Sequence, residues 1–471
     1  MDENKKEITG SPYEFEGRIP LRQAIPLGLQ HVMAMFVGNL TPIIVIMGIC
    51  GIAGGDYTAL RISLLQNAML VAGVVTLIQL YAIGPMGGKV PIIMGTSSGF
   101  IGVFTSVANS LGGGVYAYGA IMGATLIGGL FEGILGFCLK PLRRFFPSVV
   151  TGCVVMAIGL SLLSVGVGYF GGGSSNADYG SPVNLLLALF VLIVIIVAKH
   201  FCKGMASSSC ILIGIIAGYI LATILGFVLP TTGIDADGAE YTYSWVVQWS
   251  SVASASWFAI PSFMPVKMVF NATAIVPIMI MFIVTAVETV GDISGAIEGG
   301  MHREPTDSEL SGGIICDGLG SSLASLFGVL PNTSFSQNVG LISMTGIVNR
   351  FALSIGAIFL VLCGLCPKLA AVVNIMPQSV LGGAAVMMFA SIIVSGINLI
   401  TKDGVDVRTT TIVSIALGVG YGIGSTTAVL SYMPTFVTLI FGGSGIVPTA
   451  FVAILLNIIH PAEDKKNKES F

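Results

Sequence analysis

Apolar residues come in long runs along this chain, and short polar stretches interrupt the runs at fairly even intervals. Seven runs lie at about 24–49, 60–83, 91–108, 114–138, 148–170, 182–200 and 209–229. A polar, weakly acidic stretch from Thr231 to about Lys267 separates them from seven more, at about 271–296, 308–328, 332–345, 350–373, 378–400, 408–427 and 444–460. A helix needs ~20 residues to cross a bilayer, and most of the runs reach that length. The pattern predicts an all-α polytopic membrane protein with fourteen transmembrane segments. The third and tenth runs are short or polar, and are expected to be broken into an extended piece and a half-helix. A repeat of seven, being odd, inverts the second half relative to the first, so the expected fold is two inverted seven-segment repeats.

The two halves carry weak similarity of that kind. Gly95-Thr-Ser-Ser-Gly-Phe-Ile-Gly in the third segment resembles Asn332-Thr-Ser-Phe-Ser-Gln-Asn-Val-Gly in the tenth, with one gap. Lys140-Pro-Leu through Pro147-Ser-Val-Val-Thr-Gly resembles Pro367-Lys-Leu through Pro377-Gln-Ser-Val-Leu-Gly. Interrupted segments at matching places in inverted halves point to a transporter's midplane site. The stretch Pro331–Gly346 is the more polar of the two. Its Asn, Thr, Ser and Gln side chains need hydrogen-bond partners that lipid cannot supply, so it should line a cavity inside the protein. Ser334 or Ser336 is expected to cap a short helix beginning near Gln337.

Composition agrees. Of 471 residues, 54% are hydrophobic and 9% charged, against roughly 25% charged in soluble domains. The net charge of -3 and the absence of a basic patch exclude a nucleic-acid partner. With the N-terminus in the cytoplasm, all but three of the 20 Lys and Arg fall on the cytoplasmic side, the exceptions being Arg61, Lys267 and Lys368. This places both termini in the cytoplasm. About twenty polar residues precede the first run and no cleavage motif follows it, so no signal peptide is expected. The eight cysteines are scattered, and Cys363-x-x-Cys366 has neither a second pair nor a nearby His. No metal or other cofactor is expected, and no nucleophile–base pair or phosphate loop suggests an enzyme.

Ionisable groups inside spans are costly and are retained for function. Glu288 and Asp292 lie four apart in the eighth segment, hence on one helix face, and Asp317 lies in the ninth. Burial disfavours the ionised form of a carboxyl, so Glu288 beside a site could exchange a proton near neutral pH, and when ionised could accept N–H groups from a heterocyclic lactam. Gln337 offers a donor and an acceptor side by side, matching the C=O and N–H of a lactam edge. Asn338 either contacts substrate or braces segments three and ten. His31, after Gln30 in the first segment, is expected to support the site rather than relay protons, and Glu132, with no polar company in the fourth, to be structural.

These residues resemble the nucleobase–ascorbate transporter family. Gln30-His31 looks like the family's Gln-His pair, and Gln337-Asn-Val-Gly-Leu-Ile-Ser-Met-Thr345-Gly346 matches its signature. Glu288-Thr-Val-Gly-Asp292 and Asp317-Gly are similar to its acids in helices eight and nine. The resemblance covers the whole chain. It implies a core domain from helices 1–4 (21–146) and 8–11 (269–376) and a gate domain from helices 5–7 (147–230) and 12–14 (377–462). An extracellular loop at 231–268 and cytoplasmic tails at 1–20 and 463–471 complete the division. It implies dimerisation through the gate, residence in the cell membrane, and substrate contacts from Glu288, Gln337, Phe335, Ser336, segment three and Gly38. In segment three the family usually has an aromatic where Ser98 stands here, and Phe100 follows two residues on; both are expected substrate contacts. Asp292, Asp317, Asn338 and His31 are expected to join Glu288 in proton coupling or site support. Gln at the first signature position goes with purines in this family, and Gly346 resembles bacterial xanthine and urate carriers. The resulting expectation is import of xanthine or uric acid by proton symport, with sodium the alternative ion. A uracil carrier, a channel or sensor, and an anion carrier on the same scaffold are the alternatives.

Overall fold

A computed structural model describes residues 10–52, 55–138, 147–174, 176–234, 240–402, 404–442 and 445–460. Of the expected features, the first nine residues, the second tail and the basic residues Lys5, Lys6, Lys140, Arg143, Arg144, Lys465, Lys466 and Lys468 lie outside the described residues.

The apolar runs form helices because a backbone in hydrocarbon must satisfy its own polar groups. In the first half these are α1 (Leu21–Ile49), α2 (Thr58–Tyr81), α3 (Ile101–Ser110), α4 (Gly114–Phe137), α5 (Ser148–Phe170), α6 (Pro182–Phe201) and α7 (Cys210–Val228). In the second half they are α8 (Ala272–Met301), α9 (Asp307–Leu326), α10 (Ser336–Thr345), α11 (Arg350–Gly364), α12 (Pro367–Asn374) and α13 (Gln378–Thr401). Helix α14 (Val407–Ile415) runs into a π-helical stretch, Ala416–Tyr421, and α15 spans Ile446–Ile459. Among the described residues, eight helices are long and apolar enough to cross a membrane, and α11 and α12 meet at 82° in what would be a ninth.

Segments three and ten are broken as expected. Strand β1 (Met94–Thr96) precedes α3 and strand β4 (Asn332–Ser334) precedes α10. The strands pair antiparallel with Met94 opposite Ser334, Gly95 opposite Thr333 and Thr96 opposite Asn332. The Ser97 N–H to the Pro331 carbonyl (2.8 Å) and the Phe335 N–H to the Ile93 carbonyl (3.1 Å) extend the ladder by one bond at each end. The first residue of each strand is held by a single hydroxyl. Thr76 of α2 accepts from the Met94 N–H (2.9 Å) and donates to its carbonyl (3.2 Å). Ser321 of α9 accepts from the Asn332 N–H (3.0 Å) and donates to its carbonyl (2.9 Å). Buried extended backbone is tolerated only when its donors and acceptors are met in this way.

The elements pack in two groups. Helices α1 and α2 lie against α11, and α4 lies against α8 and α9, whereas α5 runs along α13, which also meets α6 and α7. The stretch expected to be a loop, 231–268, forms a hairpin, β2 (Thr232–Ile234) with β3 (Glu240–Thr242). It then threads back under the helices, where the Met264 N–H bonds the Leu326 carbonyl at 2.8 Å. The first long helix begins at Leu21, directly after the expected tail. From residue 10 the chain docks on the turn after α10: Asn349 donates to the carbonyl of Glu14 (3.0 Å), and Arg350 pairs with Glu16 and lies over the Phe15 ring.

Candidate substrate site

The β4–α10 junction faces α8 and the end of β1 across a narrow cavity. Its lining includes Glu288, Ser98, Phe335, Ser336 and Gln337 on one side, and Ile158 of α5 and Ile392 of α13 on the other. The cavity holds about 20 Å³ of water-sized space. Glu288 is 7% exposed, and its Oε2 has no hydrogen-bond partner among the described residues. Gln337 follows Ser336 in the first turn of α10, where the N–H groups of these two residues precede the first intrahelical bond, from the Asn338 N–H to the Phe335 carbonyl (2.9 Å). Glu288, Gln337 and this helix start thus converge on one hollow as the sequence suggested.

The remaining expected site residues stand behind this surface. Asp292, one turn along α8 from Glu288, accepts from Ser334 (2.7 Å) and Ser336 (3.1 Å). Those two serines do not cap α10. The cap position falls on Phe335, which has no side-chain bond, with Ser334 one residue before it and Ser336 already in the helix. Asp317 accepts from Thr289 and from Thr333 (3.1 Å). Two carboxyls on two helices thereby clamp β4 and the start of α10 through hydroxyls.

Asn338 is not at the cavity. Its amide donates to the His31 carbonyl (2.9 Å) and lies 3.3 Å from His31 Nδ1. It braces α10 to α1, not segment ten to segment three. The brace on segment three is Asn39, whose Oδ1 accepts from the Thr96 N–H (2.8 Å) and hydroxyl (3.0 Å).

Phe100 also differs from expectation. It is buried against Phe104 and Phe282, with ring centroids at 5.2 and 4.7 Å, and does not line the cavity. Phe335 is the aromatic of the site. Its ring is seated between Gly38 and Gly95: a Cβ at Gly38 would come within 2.8 Å of the ring, and one at Gly95 within 2.6 Å. Gly38 reaches the cavity only through that ring, although Pro42, which has no N–H, leaves the Gly38 carbonyl without its usual helical donor.

Sequence reasoning missed several groups. Thr289, Thr333 and Ser334 hold the acids, and Ile158 and Ile392 close the cavity. The residue spacing in these hydrogen bonds, 16 to 42 positions apart, leaves no local pattern to find. Glu132 was expected to lack polar company, yet Thr285 of α8 lies 3.1 Å from its Oε1.

A cavity halfway along a bundle of apolar helices, walled by paired strands and half-helices, defines a membrane transport protein. The chain belongs to the Permease family, whose profile matches residues 22–429. It is therefore a multi-pass membrane permease and not an enzyme. It is 33% identical over 448 residues to the xanthine permease of Bacillus subtilis (strain 168), covering 95% of each chain. It is likewise 33% identical over 438 residues to the uric acid permease PucK of the same organism, covering 92% of this chain and 95% of that one. Among solved structures it resembles the transmembrane domain of the cyanobacterial bicarbonate transporter BicA, with a TM-score of 0.56 at 16% identity over 93% of this chain and 98% of that one. That similarity speaks for the fold.

Proposed function

We propose that the protein imports a purine nucleobase, xanthine or uric acid, by proton symport. One observation carries this reading: Glu288 and Gln337 line a single buried cavity whose far wall, Ile158 and Ile392, comes from the other packing group. An ionised Glu288 accepts ring N–H groups, and Gln337 pairs with an adjacent C=O and N–H. The free N–H groups at the start of α10 suit a substrate oxygen, and the Phe335 ring offers an apolar contact. The names of the B. subtilis relatives support the purine class.

Binding pockets for small molecules measure roughly 300–1,000 Å³, far more than the cavity described. A purine therefore enters when the helices bearing Ile158 and Ile392 swing away from Glu288 and Gln337, which is alternating access of a core (21–146 and 269–376) against a gate (147–230 and 377–462). The antiparallel crossing of β1 and β4, each pinned by one hydroxyl, is what two inverted repeats would produce. It supports an inverted arrangement of fourteen segments; both termini in the cytoplasm of a cell-membrane protein, and a gate domain that pairs with a second copy, belong to the same reading through the family resemblance. Glu288 exchanges the coupled proton, and Asp292 and Asp317 hold the geometry. The likeness to BicA would suit an anion carrier, but the cavity lining, among the described residues, carries no Lys, Arg or His to neutralise an inorganic anion, whereas Glu288 and Gln337 match ring N–H and C=O groups.

Uptake of labelled xanthine and urate into proteoliposomes, with and without an imposed pH gradient, tests this reading. Accumulation above equilibrium driven by inward protons is the expected result. Accumulation driven only by sodium, equilibrium-only flux, or flux of uracil in place of purine would overturn it.

A further inference from the structure

Glu132 is fully buried in α4, in a seam between α8 and α9. The seam is tight: a Cβ at Gly318 of α9 would lie 2.5 Å from the Gly129 carbonyl and 2.9 Å from the carbonyl carbon of Glu132. That contact brings together the backbones of Glu132 and Gly318, the neighbour of Asp317, and the two acidic side chains bond Thr285 and Thr289, one turn apart on α8. The charged groups within electrostatic range of Glu132 are Asp317 of α9 and Glu288 of α8. Helix α3, which also packs on α4, carries no ionisable residue, and neither 281–292 of α8 nor 313–322 of α9 contains a Lys, Arg or His. Four carboxyls, Glu132, Glu288, Asp292 and Asp317, thus share a core region with no countercharge. One oxygen on each of Glu132, Glu288 and Asp317 has no partner among the described residues. Several uncompensated charges so close together in a dry interior cannot all be ionised at once.

The contact made by Glu132 fits both forms of its carboxyl. Thr285 has one hydroxyl proton and three oxygens in reach: Glu132 Oε1 at 3.1 Å, the Phe282 carbonyl at 3.2 Å and the Met281 carbonyl at 3.4 Å. A threonine inside a helix commonly donates to its own preceding turn. Thr285 donates to an ionised Glu132 at 3.1 Å, or accepts from a protonated one while donating to its own turn, so the contact survives a change of charge on Glu132. A glutamine would fill the same space and bond Thr285 without the cost of an ionisable group.

We propose that Glu132 is a second proton-binding site of the transporter, exchanging its proton with Asp317 away from the substrate cavity. When the proton leaves Glu132, an O–H bond breaks there and one forms on the Asp317 carboxylate; the negative charge passes from α9 to α4. From Asp317 a line of hydroxyls, Thr289, Thr333 and Ser334, leads to Asp292 and Ser336 at the cavity wall. The inference rests on the proton-symport reading. Glu132 touches no substrate and acts as a positioning residue for charge.

The experiment compares the wild type and Glu132→Gln in proteoliposomes, measuring counterflow exchange of labelled xanthine or urate and accumulation under an imposed pH gradient. The expected result is exchange within about twofold of wild type and accumulation reduced at least tenfold, with its pH dependence flattened. Wild-type accumulation and pH profile in the variant would overturn the proposal, as would a parallel loss of exchange and accumulation, which is what a merely structural role predicts. Should Glu132→Gln fail to fold, Thr285→Val removes only the hydroxyl contact; it should shift the pH profile of accumulation while leaving exchange intact, and an unshifted profile would overturn the proposal. A wild type that does not accumulate substrate on a pH gradient refutes proton symport itself, an outcome separable from either variant's behaviour.

Discussion

β1 and β4 each start with a residue whose N–H and carbonyl both bond one hydroxyl, Thr76 for the first and Ser321 for the second. Beyond that point the two arms part. The β1 arm is steadied by a neutral amide, Asn39, and offers Ser98 to the cavity. The β4 arm gives its hydroxyls to two acids, Asp292 and Asp317, and offers Gln337 beside Glu288. Scaffolding is shared between the arms, whereas ionisable chemistry gathers on the second, with Glu132, among the described residues, the buried first-half acid in electrostatic range of it. The lesson is that a repeated frame can be held by neutral bonds on one side while the other is left to change charge.

The sharpest break of this comparison is Glu288→Gln. It should cut concentrative uptake by about 100-fold, since hydrogen bonds to a charged group are worth roughly 1.5–3 kcal/mol, while the purified protein elutes and melts as the wild type does. Normal accumulation would mean that the second arm has no special role. Gln337→Glu replaces a donor by a second acceptor and should weaken xanthine or urate affinity about tenfold; unchanged saturation kinetics would remove Gln337 from recognition. Gly95→Ala pushes against the Phe335 ring and Met35. It should lower stability by about 1–3 kcal/mol as an overpacked core does, and lower affinity severalfold, measured by thermal shift with and without substrate. The smallest effect on transport is expected from Thr76→Val and Ser321→Ala. Each leaves a strand N–H and carbonyl unpaired at a cost of about 1–3 kcal/mol, alike in the two arms and with no change in substrate preference. A large difference between the two melting points would show that the arms are not equivalent supports.

Much of this arrangement could be read in the chain. Long apolar runs gave the helices, and the polar content of 332–345 gave a broken segment, because lipid leaves so few alternatives for unpaired backbone. Glu288 and Gln337 were legible because polar and ionisable groups at membrane depth have few inexpensive explanations. The assignments that failed all turned on which of several partners a group chooses. Ser334 and Ser336 suit a helix cap locally, but the helix starts one residue off either of them, at Phe335, and both hydroxyls donate to Asp292, 42 and 44 residues away. Asn338 finds His31 across 307 residues. Phe100 resembled a stacking surface, yet the space that can hold a ring beside the cavity is the gap left by Gly38 and Gly95, and Phe335 fills it. No local rule links Thr285 to Glu132 across 153 positions.

The pairing of Met94 with Ser334 also bears on biosynthesis. As the chain leaves the ribosome, β1 enters the bilayer long before its mate exists. A product truncated after α7 would keep the bonds from Thr76 and Asn39 but would present the ladder-facing groups of residues 93, 95 and 97 to hydrocarbon or to a chaperone, so the isolated amino-terminal half should be cleared by quality control unless the other half is supplied in trans.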